Sequence, residues 1–521
     1  MSEPLILTRP LVAGRLTRAA LAGTTPAGWY PAPPTTPAAW REHAESVRRA
    51  FDRSDWRTAL APAFEATGAA AARLDRVAAG RGIVVTAGQQ PVLFGGPIYT
   101  WSKALSALAM ADAVERATGV PAAPVFWAAT YDADFAEASV THVNVGPDVI
   151  AIQLEQTAAA AQAMRETPLG DTSRQIAALE SAAGTAASRD VLDLIARAYR
   201  PPQTVGSAFL MFFRAMLEPL GIAVLDGGHP SVLEAARPLL AHALRDAKSV
   251  DHALVERDRA ITAAGFTPEV KHVTGLSLVF RREKAARQRI PIAQAASDGG
   301  GPLEPNVLLR PVVERAILPT VAYLGGPSEL AYFAQASAVA AALGAASPMP
   351  LPRWSGLIVE PNVLRILTRH QLSVDDLADP HAADTVLARA RLPRDVAEAF
   401  ESLRRSLDSG IDALAAADRR QDARLVPDAV VEGARHNIAH RIERLERRLV
   451  AAVKRREEHL QLELGTARAS LFPLGRTQER ILNLVPMLSR HGLSLLDGMH
   501  RHAADYAAGV VSPAAATAGS A

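Results

Sequence analysis

The chain reads as an α/β protein: a parallel sheet interrupted by two insertions, with a long helical arm near the C-terminus. Three observations predict this. A β-branched run, Ile83 to Thr86, passes through a turn-rich loop into a helix and then into a second apolar run at Val125-Phe126-Trp127. The same strand, glycine loop and helix order recurs twice further on, as expected of βαβ units. From about Ala382 the apolar residues change to spacings of three and four, the helical period.

Taken in order, residues 1–80 are rich in Ala, Pro and Arg, with Pro31, Pro33 and Pro34 marking a loop and a helical stretch expected from Trp40 to about Phe64. The Ile83–Thr86 strand leads into Ala87-Gly88-Gln89-Gln90-Pro91-Val92-Leu93-Phe94-Gly95-Gly96-Pro97. A helix follows from about Ile98 to Arg116, with Trp101, Leu105, Leu108 and Ala109 at helical spacing. The Val125–Trp127 strand ends in the acidic segment Asp132 to Glu137. A further strand, Ile222 to Leu225, ends in Asp226-Gly227-Gly228-His229-Pro230 and precedes a helix from Ser231 to about Asp246. Another, Leu318 to Leu324, ends in Gly325-Gly326-Pro327 before a helix starting near Ser328.

In the arm, Val396, Phe400, Leu403, Leu407, Ile411 and Leu414 form one stripe. Ile438, Ile442, Leu445, Leu449 and Ala452 form a second, after a break at Val426-Pro427. Two antiparallel helices, or a coiled-coil arm, are predicted. The expected organisation is therefore 1–147, first part of the core; 148–204, first insertion; 205–250, core; 251–309, second insertion; 310–381, core; 382–465, arm; 466–511, a helical segment packing back; and 512–521, a disordered tail of small residues.

Composition bounds the function. A chain of 521 residues implies about three units, and a 49% hydrophobic content can fill their cores. The net charge of +2 gives no argument for a nucleic-acid or acidic-membrane partner. There is no cysteine, which excludes disulfides, thiolate metal sites and a cysteine nucleophile; any thiol chemistry belongs to a substrate. Met1 to Pro10 lacks the pattern of a signal peptide, and no run of about 18 apolar residues appears. A cytoplasmic protein without a membrane span is expected.

The Thr86–Lys103 segment is the foremost candidate site. Its glycines, Gly95 and Gly96 among them, allow close approach of backbone N–H groups to a ligand, and the helix N-terminus behind them favours an anion. Lys103, one of few lysines in an arginine-dominated chain, lies one turn into that helix and in reach of a phosphate or carboxylate. The alternative is a tight strand-to-helix turn whose glycines serve geometry alone. Neither a Walker A loop nor a dinucleotide fingerprint is present. Asp132 and Asp134 follow the Trp127 strand and suit a metal, an amine or a proton; a solvated loop or helix N-cap is the competing reading. Glu329, after Gly325 and Gly326, suits a substrate ligand or first-turn helix chemistry. His436 and His440 are four apart but have no third ligand, so they read as surface or dimer-contact residues and no metal is expected. Arg441, Arg444, Arg447, Arg448, Arg455 and Arg456 read as a solvated helix face.

Several of these segments together resemble the bacillithiol biosynthesis cysteine-adding enzyme family. The likeness is carried by Thr86-Ala87-Gly88-Gln89-Gln90, Gly95-Gly96-Pro97-Ile98-Tyr99-Thr100 and Pro124-Val125-Phe126-Trp127. It continues at Asn306-Val307-Leu308-Leu309-Arg310-Pro311, Leu318-Pro319 and Tyr323 to Tyr332, and again at Phe472-Pro473-Leu474-Gly475 and Gln478-Glu479-Arg480. The blocks run in order from about residue 80 to 500. The resemblance implies a Rossmann-like core with two inserted connective subdomains, a C-terminal coiled coil and a homodimer. It implies a ligase that adds L-cysteine to glucosaminyl-malate. Catalytic roles would fall to Lys103, Asp132 and Asp134, and substrate binding to Gln89, Gln90, Gly95, Gly96, Tyr99, Trp127, Gly325, Gly326 and Glu329. Bond formation of this kind needs carboxylate activation, for which ATP (leaving ADP) is the nucleotide to consider; no cofactor follows from the residues themselves. Where the family typically has Glu-Asp-His-Asp, this chain has Tyr131-Asp132-Ala133-Asp134, matching the aspartates but neither the acid nor the histidine. That departure keeps a second reading open: a non-catalytic relative that binds a sugar-malate or nucleotide and acts through its coiled-coil dimer.

Overall fold

The computed structural model describes residues 3–155, 161–185, 188–283, 286–295, 300–379, 393–420, 425–456 and 458–513. They fall into two compact units. One comprises Met1–Val143, Ile150–Ile358 and Gln478–Ala521, the other Asn144–Val149 and Val359–Thr477.

The first unit is built on a five-stranded sheet. Strand β1 (Ile83–Gln89) leads through a short loop into helix α1 (Ile98–Thr118), then strand β2 (Ala122–Ala128). Helix α2 (Val205–Leu217) returns the chain to β3 (Ala223–Asp226), which opens helix α3 (Pro230–Arg245). An antiparallel sheet follows, of strands β4 (Leu276–Glu283), β5 (Ala286–Pro291) and β6 (Leu303–Pro305). Helix α4 (Arg310–Ile317) then leads into β7 (Thr320–Gly325), helix α5 (Pro327–Ala342) and strand β8 (Met349–Pro352). In the main sheet the strand order is β8-β7-β1-β2-β3, with every pair parallel.

This order is that of a doubly wound Rossmann-like sheet. The chain steps outward from β1 through β2 to β3, then restarts at β7 on the other side of β1. The reversal opens a crevice at the carboxyl ends of β1 and β7, where ligands of such folds bind. The strand residues of β1, β2 and β7 are buried almost throughout, as sheets covered on both faces require. On one side, Trp101 of α1 packs on Phe212 and Phe213 of α2, and Phe209 stacks on Phe213 at 4.3 Å between centroids. Thr204 caps α2 through a reciprocal bond with Ser207. Helix α8 (Ser494–Val511) lies along α1.

This unit departs from the sequence expectation in one helix and one strand. The single helix from Trp40 to Phe64 is three: Pro37–Ala50, Trp56–Ala59 and Ala61–Phe64. Phe51 takes an extended conformation that ends the first, and Pro62 starts the last, where its missing N–H costs nothing. Strand β8 was not anticipated, because Pro350 and Pro352 speak against a strand; at the sheet edge they are tolerated.

The second unit contains the arm, helices α6 (Arg394–Arg419) and α7 (Asp428–Arg456). The seam differs from the expected stripe. Ile411, Ala415 and Val431 cluster with Leu407 beside them, and Ile442 is buried. Ile438, Leu445 and Leu449, expected in the seam, are exposed, as are Leu403 and Leu414. Polar groups take their places: Arg435 reaches Asp408 and Asp412, and Arg404 bonds Glu446, which is buried. The side chain of Ala452 lies outside the described residues, as does the tail from residue 514 on. Among the described residues, no helix is long and apolar enough to cross a membrane.

Candidate active site

A cavity of about 960 Å³ opens at the carboxyl ends of β1, β2 and β7. It is floored by a buried ion pair. The Lys103 ammonium lies 2.6 Å from Glu329 Oε2, with the side chains 5% and 17% exposed. Lys103 also donates to Gly88 O at 3.0 Å and Gln89 Oε1 at 2.9 Å. An ammonium has three donors, so all are engaged, and a substrate anion would have to displace one. The pair joins elements distant in sequence: Lys103 comes from α1, after β1, and Glu329 from the first turn of α5, after β7. They meet because β1 and β7 are neighbours, with Tyr323 in register with Thr86.

Burial alone pushes the Glu329 carboxyl up, but the Lys103 charge and bonds from Lys103, the Tyr323 hydroxyl and the Gly326 N–H outweigh it and hold the group below its ordinary value. Burial pulls the Lys103 ammonium down, and Glu329 only partly offsets this. A second buried pair stands behind the first. Arg310 donates to Glu314 at 2.7 Å and to the Tyr332 hydroxyl at 3.0 Å, while Glu314 accepts from Thr86. Burial raises the Glu314 carboxyl above its ordinary value despite Arg310. Arg353, over the Tyr99 ring at 5.8 Å, is held by Glu479 through two bonds of 2.7 Å.

Gln89 passes this network to the cleft. Its Nε2 donates to the Tyr99 hydroxyl at 3.2 Å and to Glu137 Oε1 at 3.4 Å, and Tyr99 donates to the same oxygen at 3.4 Å. Burial, reinforced by Glu137 and Glu329, raises the Tyr99 phenol, so it is a neutral donor near pH 7. The Glu137 carboxyl is raised first by burial and then by Asp134, against the pull of Lys103 and the Tyr99 bond. Asp134 caps the short helix Phe135–Ala138 by accepting from Glu137 N at 3.1 Å, and Asp132 accepts from Ala133 N at 2.6 Å.

The structure thus brings Gln89, Gln90, Tyr99, Lys103, Trp127, Asp132, Asp134, Gly326 and Glu329 to one cavity. Gln90 Nε2 and Trp127 Nε1 are buried without a protein partner. Gly95 and Gly96 do not line it, and neither does Gly325. A Cβ on Gly95 would come within 2.9 Å of Phe212 and Phe213, and its N–H donates to the Tyr199 hydroxyl. These glycines serve the turn, at φ of 83° and 72°, and its packing on the aromatic core. Sequence reasoning missed Glu137, Arg287, Arg289, Arg310 and Tyr332 as lining residues. Glu137 was legible as the third residue after an N-cap aspartate. Arg287 and Arg289 had only a period-two spacing to mark them.

A Rossmann-like sheet with a polar, charge-lined cleft at its switch point, joined to a helical arm, defines a Rossmann-like protein with a C-terminal coiled coil. Residues 27–297 and 292–354 match the family described as "Bacillithiol biosynthesis BshC, N-terminal Rossmann-like domain", and residues 356–507 match its C-terminal coiled-coil domain. Similar proteins named "Putative cysteine ligase BshC" occur in Koribacter versatilis (strain Ellin345), 32% identical over 82% of this chain and 83% of the relative, and in Solibacter usitatus (strain Ellin6076), 30% identical over 84% and 86%. Another in Salinibacter ruber (strain DSM 13855 / M31) is 28% identical over 81% and 80%. The chain belongs to the BshC family.

Proposed function

We propose that this chain is a ligase that joins the carboxyl group of L-cysteine to the amino group of glucosaminyl-malate. The observation that carries the reading, beside family membership, is that Asp132, Asp134 and Glu137 share one cavity with the Lys103–Glu329 pair. The acidic side of the cavity matches an ammonium substrate. Asp132 and Asp134 bind it, and Glu137, whose proton affinity is raised, takes its proton. The ammonium gives one proton to the Glu137 carboxylate; the freed nitrogen pair attacks the activated cysteine carboxyl carbon; a C–N bond forms, the activating group departs with its bonding pair, and the nitrogen releases its second proton to solvent to leave the neutral amide. Glu137 fills the place left open by the absent family histidine, three residues beyond Asp134 rather than between the aspartates. Lys103 acts as a positioning residue, fixing Gln89 and through it Tyr99 and Glu137. ATP is the co-substrate we propose for activating the carboxylate.

The reading includes a homodimer formed through the arm. What supports it is the exposed apolar row Ile438, Leu445 and Leu449 on α7. The substrate assignment is tested by calorimetry with glucosaminyl-malate. The unmutated chain should bind it, and Asp132→Asn with Asp134→Asn should weaken binding. Equal affinity in the double variant would remove the aspartates from the site.

A further inference from the structure

The cavity has a second charged wall that none of the assignments above uses. It comes from the antiparallel sheet between α3 and α4. Residues two apart on a strand share a face, so Arg287 and Arg289 of β5 project together, and both line the cavity. Both guanidiniums lie against the Phe280 ring on the neighbouring strand β4, 3.9 Å and 5.7 Å from its centroid. Two like charges held this close repel.

The surrounding acids do not balance them. Glu304 Oε2 lies 3.7 Å from Arg287 Nε, but Glu304 is also bonded by Arg282, which takes Glu166 as well. Asp132 Oδ1 stands 3.9 Å from Arg287. Arg287 is held further by the carbonyls of Tyr131 and Pro305, each at 3.3 Å. Among the described residues, no acid pairs with Arg289, and its Nε is buried without a partner. Burial pulls the Arg289 guanidinium below its ordinary value, and Arg287 adds to this. A half-buried guanidinium fork that lines a cavity and has no acid paired with it is a costly arrangement unless an anion completes it.

We propose that Arg289, with Arg287 beside it, forms an anion subsite that receives the paired carboxylates of the malate portion of the substrate. This deepens the functional reading above and rests on it for the name of the ligand. The subsite lies beside the acidic segment, with Arg287 touching both Asp132 and the backbone of Tyr131. A ligand with an ammonium at one end and two carboxylates at the other would therefore span from Asp132 and Asp134 to Arg289. Phosphate oxygens share the carboxylate's chemistry, so a nucleotide is the competing source of the anion.

Calorimetry on the full chain with L-malate, glucosaminyl-malate, methyl glucosaminide and ATP separates these cases. Arg289→Gln should weaken L-malate and glucosaminyl-malate roughly 10- to 100-fold and leave methyl glucosaminide and ATP unchanged. Arg289→Lys, which keeps the charge but loses the planar fork, should fall between, and it serves if the glutamine variant does not fold. Unchanged malate affinity in a folded variant overturns the proposal. A loss confined to ATP overturns the malate assignment in favour of phosphate. Malate binding through Arg289 without any turnover would keep the subsite and remove the ligase reading. An unmutated chain that binds neither malate ligand contradicts both.

Discussion

Glu329→Gln changes one atom type in the floor of the cavity and nothing in its shape. In the native protein Glu329 Oε2 is 2.6 Å from the Lys103 ammonium, and both side chains are largely buried. The variant leaves the ammonium bonded to Gly88 O and Gln89 Oε1 but without a counter-charge. Removing one partner of a buried pair costs about 3–5 kcal/mol. The cost has a pH signature. Burial already draws the Lys103 pKa down, and loss of Glu329 draws it further. The unfolded chain then binds the proton more tightly than the folded one, so stability rises with pH. The deficit of the variant should be largest at neutral and lower pH and shrink as pH approaches the unfolded lysine value of about 10.4. Adding Lys103→Met should recover most of the loss, since a neutral pair of similar volume leaves no buried charge. All six tryptophans lie within Met1–Val143 and Ile150–Ile358, so tryptophan fluorescence during urea unfolding follows the first unit. A deficit below about 1 kcal/mol, or a double variant no more stable than the single, would refute the argument that the pair is electrostatically interdependent.

Other outcomes follow from the same geometry. Glu137→Gln should lower kcat by about 10²–10⁴ at pH 7. In the unmutated enzyme, activity should fall as pH drops through a pKa above the usual carboxylate value, and that acid limb should vanish in the variant; an unchanged pH profile removes Glu137 as the base. Asp132→Asn and Asp134→Asn should raise the KM for the amine substrate more than they lower kcat, and the reverse split in steady-state kinetics would assign them to chemistry. Leu445 is exposed on α7, so Leu445→Asp should leave the circular dichroism of the arm intact while light scattering shows a shift from dimer to monomer; a monomeric unmutated chain at micromolar concentration contradicts the dimer. Ile442→Asp, by contrast, should destabilise the arm itself by about 1.5–3 kcal/mol.

What the sequence disclosed depended on whether the signal was local. The runs Ile83–Thr86 and Val125–Trp127 are short, apolar and bounded by turn residues, and both are central strands. Strand β8 carries two prolines, and only its edge position makes it tenable. In the candidate site, Gln89, Tyr99 and Lys103 were legible because they lie on the end of one strand and on the helix that its loop leads into. The pairing of Lys103 with Glu329 spans β1 and β7, and no spacing announces it. Arg287 and Arg289 sit in an insertion whose strands face the cavity only in three dimensions. The arm shows the same limit: a stripe through Leu445 and Leu449 has helical spacing, yet those residues are exposed while Ile442 and Glu446 are buried, Glu446 against Arg404 of α6. Periodicity identifies a helix more readily than it identifies the face its partner covers.

The central claim is that this cavity forms an amide between cysteine and an amino sugar. The direct measurement is mass spectrometry of a reaction containing the purified full chain, glucosaminyl-malate, L-cysteine and ATP, with parallel reactions lacking ATP or carrying Glu137→Gln. The account predicts the cysteinyl amide of glucosaminyl-malate in the complete reaction, a large loss with Glu137→Gln, and dependence on ATP. Absence of that product under every condition, from a folded chain that still binds glucosaminyl-malate, would contradict it.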